Sequence, residues 1–330
     1  MSQIASDVSG RPTLGPEGTA QIVGKSPRRL FWDRFKQDRV AFVGLGFIIL
    51  LFLLALLAPI VSEVVGHGPE QQFKVMEDEF GFPKGPTGNF YFGADNAARD
   101  LFIRVVYGTR TSLQVAVFAT GIAVVIGVTL GLVAGFFRGW IDTVISRMID
   151  IVLSLPLVLF AVGIAAACST DEEGCRIGWE PLQLSIKPGL GIVVGIIALF
   201  SWPYIARIVR GNTLTIREKE FIEASRSLGA GNIRIMTREV LPNLVAPIIV
   251  YATLVIPNNI VFEAALSFLG LGVPDRTPSW GAMLDDGSRL FDEGAWWMIV
   301  FPGLFLVMTT LAFNLVGDGL RDALDPKSAR

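Results

Sequence analysis

Histidine and cysteine are nearly missing from this 330-residue chain, which has one His (His67) and two Cys (Cys168 and Cys175). A zinc centre normally takes three or four such ligands, so no metal site and no cofactor are expected in the chain itself. Charge is scarce as well. Charged residues make up 18% of the chain, against roughly 25% in a soluble domain. A net charge of −2 leaves no polybasic surface for nucleic acid. Residues 1–30 carry no apolar core, which excludes a cleaved signal peptide. The stretch from Gly18 to Ser26 nearly spells a phosphate-binding loop, but Thr19 stands where the first glycine belongs. No strand leads into it, so its amides would not gather around a phosphate.

What the chain has is apolar residues, 52% of the total, arranged in blocks of about 20, the length that crosses a ~30 Å hydrocarbon layer as a helix. Six blocks are legible: Val40–Val61, Ser112–Phe137, Arg147–Ala167, Leu190–Ile208, Leu244–Leu266 and Trp296–Val316. In lipid each must be helical, so that its backbone hydrogen bonds close internally. Six crossings put both termini on one side. Nineteen of the 28 Lys and Arg fall on that side, which the positive-inside rule makes cytoplasmic. Residues 1–27, rich in Gly, Pro, Ser and Thr, then read as a disordered cytoplasmic tail. Residues 28–39 mix basic and aromatic side chains and read as an interfacial helix. The first crossing and an acidic extracytoplasmic loop fill 40–111, a transmembrane core fills 112–317, and 318–330 is a cytoplasmic tail. Cys168 and Cys175 share an outer loop and would close a disulfide there if their geometry permits.

Glycines four apart, Gly127, Gly131 and Gly135 in the second crossing and Gly191 and Gly195 in the fourth, predict close helix packing. Prolines at 156, 203, 247, 257 and 302 mark kinks that membrane helices tolerate. Arg147 and Asp150, three apart, are spaced to pair on one helix. Polar residues inside or near the ends of the crossings, Asn258, Asn259, Glu263 and Asn314, are candidates for a substrate path, because such groups usually face a cavity or a partner; packing and capping are the alternatives. A proton-coupled transporter would need buried acidic or histidine relays, and the lone His67 lies in an outer loop. An intramembrane enzyme would need paired aspartates, zinc ligands or a Ser–His couple, and the crossings carry none.

The cytoplasmic segment 210–243 is the most informative. Thr215 to Leu228 has the pattern of an amphipathic helix with Phe221, Ala224, Ser225 and Leu228 on one face and Arg217, Lys219 and Glu220 solvated. Gly229 would stop it in the left-handed conformation, and Pro242 would allow a sharp re-entry into the membrane. Glu223-Ala224-Ser225-x-x-x-Gly229, followed by Leu241-Pro242, resembles the EAA loop of bacterial ABC-importer permeases, with Ser225 where the family has alanine. Three further stretches resemble the C-type permeases of the dipeptide/oligopeptide/nickel branch. They are Phe92–Leu113, with Ala98 in place of the usual glycine, Glu263–Gly272 with Pro278–Gly281, and Asn314–Pro326.

This resemblance implies an all-α membrane protein with the type I ABC-importer permease fold. It implies no catalytic residues, and coupling to an ATPase through Phe221, Glu223, Ala224, Ser225, Leu228, Gly229, Leu241 and Pro242. The implied partners are a homologous B-type permease, two ATP-binding cassette subunits that hold ATP and Mg, and an extracytoplasmic solute-binding protein. Asp95, Arg99, Asp100 and Arg104, in the outer loop, are candidates for docking that binding protein. Dipeptides or oligopeptides are the implied cargo, with nickel chelates, glutathione, opines and oligosaccharides as alternatives in the same branch.

Overall fold

The computed structural model describes residues 27–156, 158–163, 175–177, 184–186, 189–270, 272–273 and 277–324. Cys168, and with it the Cys168–Cys175 pairing, lies outside them, as do the two tails 1–26 and 325–330. The short helix α1 (Pro27–Gln37) opens on a proline, whose missing N–H costs nothing at that position. It buries Phe35 and stacks Phe31 and Trp32 against that ring. Asp38 then caps α2 (Arg39–Val65), its Oδ1 accepting from the amides of Val40 and Ala41 at 3.0 Å.

Residues 66–100 form a cap with little regular structure, held by buried polar groups and aromatic rings. His67 packs on Phe73 and Phe90, with ring centroids 4.5 and 4.7 Å away. Trp297 Nε1 donates to the Ala94 carbonyl at 3.0 Å, and Phe92 stacks on Phe301 at 3.9 Å. The cap therefore sits on the first turns of the last long helix.

Helix α3 (Leu101–Phe137) starts well before the expected Ser112, because Asp100 Oδ1 caps it by accepting from Phe102 N at 2.9 Å. At 1.5 Å per residue it is about 55 Å long, so it projects from the hydrocarbon. After a reversal at Arg138–Gly139, both at positive φ, α4 (Gly139–Ser154) runs to Leu155-Pro156. Helix resumes over 158–163. The expected crossing Arg147–Ala167 is thus interrupted, and its last four residues lie outside the described part. A two-stranded antiparallel ribbon, β1 (Cys175–Ile177) with β2 (Leu184–Ile186), precedes α5 (Leu190–Arg217), the short α6 (Glu220–Ser227) and α7 (Asn232–Phe268). Helices α8 (Trp280–Arg289) and α9 (Trp297–Leu324) complete the chain. Among the described residues five helices, α2, α3, α5, α7 and α9, are long and apolar enough to cross a membrane.

Close packing of α3 on α5 centres the molecule. A Cβ on Gly127, Gly131 or Gly135 would come within 2.8, 2.5 and 2.8 Å of the carbonyls of Trp202, Ala206 and Arg210. Three glycines four apart thus ride on three carbonyls four apart, and any side chain would force the helices apart. Gly191 and Gly195 behave otherwise: both are exposed and a Cβ there meets nothing within 4 Å. Their spacing defines a face, but no described helix covers it. Elsewhere Ser279 caps α8, Trp280 is buried and donates to the Val105 carbonyl at 3.2 Å, and Gly281 lies against Ala264. Gly317 and Gly319 make room for Leu254 and Ala41.

Candidate coupling loop and membrane path

Helix α6 is shorter than the sequence pattern implies. Thr215–Arg217 belong to the end of α5, and the chain breaks at Glu218–Lys219 before helix resumes. Within α6, Ile222 is the fully buried residue, packed with Ile235, Val240 and Leu244 of α7. The amphipathic pattern, drawn through the break, missed it. On the other side Phe221 is 43% and Leu228 89% exposed. Glu223 and Ala224 are exposed and Ser225 half-buried.

The end of α6 is fixed by its backbone. Gly229 has φ +83°, Ala230 N donates to the Ser225 carbonyl at 3.0 Å and Gly229 N to that of Arg226 at 2.9 Å. This crossed pair is a Schellman cap, which needs a residue at positive φ and explains the glycine. Leu241 and Pro242 do not make a re-entrant corner. The helix runs on through a π turn, Met236–Val240, and one wide turn accommodates the donor that Pro242 lacks. Asn243 Nδ2 donates to the Glu239 carbonyl at 2.6 Å there.

Arginines join this loop to the helix ends behind it. Arg217 donates to the Phe136 carbonyl at the end of α3. Arg217 and Arg226 each place a guanidinium carbon 5.7 Å from the Phe136 ring centre, within cation–π range. Arg138 holds Glu218 at 2.5 Å, and Arg210 grips Asp142 with both Nε and Nη2. That grip holds the Asp142 carboxyl below its ordinary range. Asp150 pairs with Arg207 at 3.0 Å, not with the expected Arg147. Sequence reasoning missed Phe136, Arg138 and Arg210, since none falls in the recognised motif.

The four in-span candidates separate. Asn258 lies in a cavity of about 670 Å³ between α5 and α7, walled by Phe200, Ser201, Tyr204, Tyr251 and Phe262 among others, none charged. Asn259 touches that cavity but spends its carboxamide on packing: Oδ1 accepts from Ser201 at 2.7 Å and Nδ2 donates to Thr120 at 2.8 Å. Glu263 does not line it. It is fully buried, accepting from Ser112 at 2.9 Å and from Ser267 at 2.8 Å. Asn314 is exposed on α9, away from this cavity.

Asp95, Arg99, Asp100 and Arg104 face inward rather than outward. Asp95 Oδ1 accepts from the amides of Ala97 and Arg99, and its Oδ2 meets Arg99 Nε at 2.7 Å and Arg104 Nε at 3.0 Å. Asp100 caps α3 and holds His67 Nδ1 at 2.5 Å. Asp95, Asp100 and Arg104 are all buried, so the group stitches the cap to α3 and leaves little surface for a docked protein. Asp286 of α8 joins through Asn96 Nδ2 at 2.8 Å; burial, with Asp95 beside it, pushes its carboxyl up.

The family model for the binding-protein-dependent transport system inner membrane component matches residues 127–330. The chain belongs to this family of ABC-importer permeases. A second model, the N-terminal transmembrane domain of oligopeptide transport permease C, matches residues 26–78. The dipeptide transport system permease protein DppC of Alkalihalophilus pseudofirmus is 39% identical over 96% of this chain and 97% of its own length. The glutathione transport system permease protein GsiD of Shigella dysenteriae is 40% identical over 92% and 91%. An inward-facing structure of the MetNI methionine ABC transporter covers 68% of this chain and 98% of its own chain, at 19% identity and a TM-score of 0.55, a likeness of fold. This permease is a multi-pass protein of the bacterial inner membrane.

Proposed function

We propose that this permease is the C-type half of a heterodimeric importer for dipeptides or oligopeptides, driven by ATP that other subunits hydrolyse. The observation that carries the coupling role is α6: a short helix anchored by Ile222, closed by a Schellman cap at Gly229, with Phe221 and Leu228 held in the open. Apolar side chains presented on a rigid short helix suit a groove on a partner. The partner is an ATP-binding cassette subunit, one of two that hold ATP and Mg. Closure of the ATPase pair displaces α6, and the Arg217–Phe136–Arg226 cluster passes the displacement to α3. The B-type permease supplies the other half of the path, and an extracytoplasmic binding protein delivers cargo on the cap side. Both termini then face the cytoplasm. The relatives named for dipeptide and glutathione transport support a small-peptide cargo.

The test is co-purification of the ATPase with the permease. Gly229→Val forces a β-branched residue into the left-handed region at a cost of about 1–2 kcal/mol and should lower ATPase recovery at least tenfold, with permease still in the membrane. Full ATPase recovery and full dipeptide uptake with residues 220–229 scrambled would refute the coupling assignment.

A further inference from the structure

A second cavity, about 480 Å³, opens on the outside of the helix bundle between α2 and α3. Its walls are apolar: Phe52, Leu56 and Pro59 from α2, Val117 and Phe118 from α3. Two polar residues, Arg110 and Gln114, stand one turn apart on the α3 side. Arg110 is exposed, and among the described residues it has no hydrogen-bond or ion-pair partner. That sets it apart from Arg99, Arg104 and Arg289 on the same side of the molecule, each of which holds a carboxylate.

The depth of Arg110 says what the missing partner is. The apolar run of α3 begins at Ser112 and reaches Phe137, while the helix itself starts at Leu101, so its overhang lies on the cap side. Arg110, two residues before that run and about 14 Å along α3 from Leu101, lies at its cap-side boundary. Pro59, in the same groove, is near the cap-side end of α2, whereas Phe52 and Phe118 lie deeper. A guanidinium at that level favours an anionic partner, and below it the walls are suited to hydrocarbon. The charge and the groove together match one molecule.

We propose that this groove binds an anionic phospholipid of the cap-side leaflet. The phosphate pairs with the Arg110 guanidinium, whose planar fork suits two phosphate oxygens. Gln114, one turn deeper, donates its amide to a glycerol ester carbonyl, and an acyl chain lies along Leu56, Phe52, Val117 and Phe118. A headgroup without an ammonium is preferred, because no internal cation then competes with Arg110 for the phosphate.

The experiment uses the assembled importer, extracted in mild detergent from membranes containing phosphatidylglycerol and phosphatidylethanolamine, with bound lipid counted by native mass spectrometry. Arg110→Gln should reduce retained phosphatidylglycerol at least threefold, and Arg110→Lys should restore part of it. Val117→Trp, at an exposed position, should fill the groove and cause a similar loss with Arg110 intact. A photoreactive group at Gln114 should give a phospholipid adduct. Three results would overturn the assignment: unchanged lipid counts in both Arg110→Gln and Val117→Trp, a cross-link from position 114 to the partner permease, or equal retention of the two lipids.

Discussion

Ala98 occupies a position where the chain requires positive φ, and it adopts φ +56°. Its amide donates to the Asp95 carbonyl at 3.0 Å and its carbonyl accepts from Phe73 at 2.8 Å, so neither neighbour lets it relax. An L-residue pays about 1–2 kcal/mol in that region, while glycine would lose about 0.4–1 kcal/mol more chain entropy on folding. Ala98 is also buried, and losing its methyl costs about 0.8 kcal/mol. Ala98→Gly should therefore leave the unfolding midpoint in detergent nearly unchanged, whereas Ala98→Val, β-branched at positive φ, should lower it. An unchanged midpoint in Ala98→Val would show that the turn relaxes another way. The position was legible in the sequence, because Ala98 stands where the resembled motif has glycine. The alanine argued against a tight turn there, and the turn forms at positive φ all the same. Gly229 was legible on the same ground, as a residue that follows a helix and must turn left-handed. The Gly127–Gly131–Gly135 contact was legible from spacing alone. Gly191 and Gly195 show where spacing stops: it names a helix face but not the neighbour that covers it.

At the scale of elements, hydropathy sees hydrocarbon rather than helix. It placed the start of α3 at Ser112 because Arg104, Tyr107 and Arg110 interrupt the apolar run, yet the Asp100 cap starts the helix at Leu101. It drew one amphipathic helix through Glu218–Lys219, and it named the outward face of Phe221, Ala224, Ser225 and Leu228 but not Ile222, which anchors α6 to its own chain. Residues far apart in sequence, such as Asp142 and Arg210, carry no local signal at all. Their ion pair ties α4 to α5 behind the coupling loop, and it is half-buried, unlike the exposed Arg207–Asp150 pair, which contributes little. Because Arg210 depresses the Asp142 pKa, the stability it contributes is present above the ordinary carboxylate value, about 3.9. It is lost as pH falls through the depressed value. Asp142→Asn should therefore lower the unfolding midpoint at pH 7, and the gap to wild type should narrow below about pH 4. A gap that stays constant down to pH 3 would show that the pair contributes nothing through ionisation.

For the whole molecule, the arrangement of polar groups decides which surface meets cargo. Glu263 and Asn259 are consumed inside the bundle, where Ser112, Ser267, Ser201 and Thr120 satisfy them. Asn258 is left at the cavity between α5 and α7, in a wall of tyrosines, phenylalanines and aliphatic side chains without a charge. Its Nδ2 donates back to the Leu254 carbonyl at 3.1 Å, which leaves the amide oxygen exposed. An unpaired acceptor at that depth is costly against lipid, which argues that the cavity faces water or the partner permease. A wall without charge offers dipoles to a peptide backbone but no Coulombic preference among its side chains. On this chain's side of the path, acidic and basic peptides should then pass with similar ease. Asn258→Asp breaks the symmetry with almost no change of shape. One carboxylate within about 8 Å of a passing charge, at an effective dielectric of about 20, is worth roughly 2 kcal/mol. The attraction of Lys and the repulsion of Glu each enter the ratio, so uptake of a Lys-containing over a Glu-containing dipeptide, each scaled to its wild-type rate, should rise at least tenfold at pH 7. If the ratio stays at its wild-type value while total uptake persists, cargo passes elsewhere, and the cavity belongs to the seam between the two permeases.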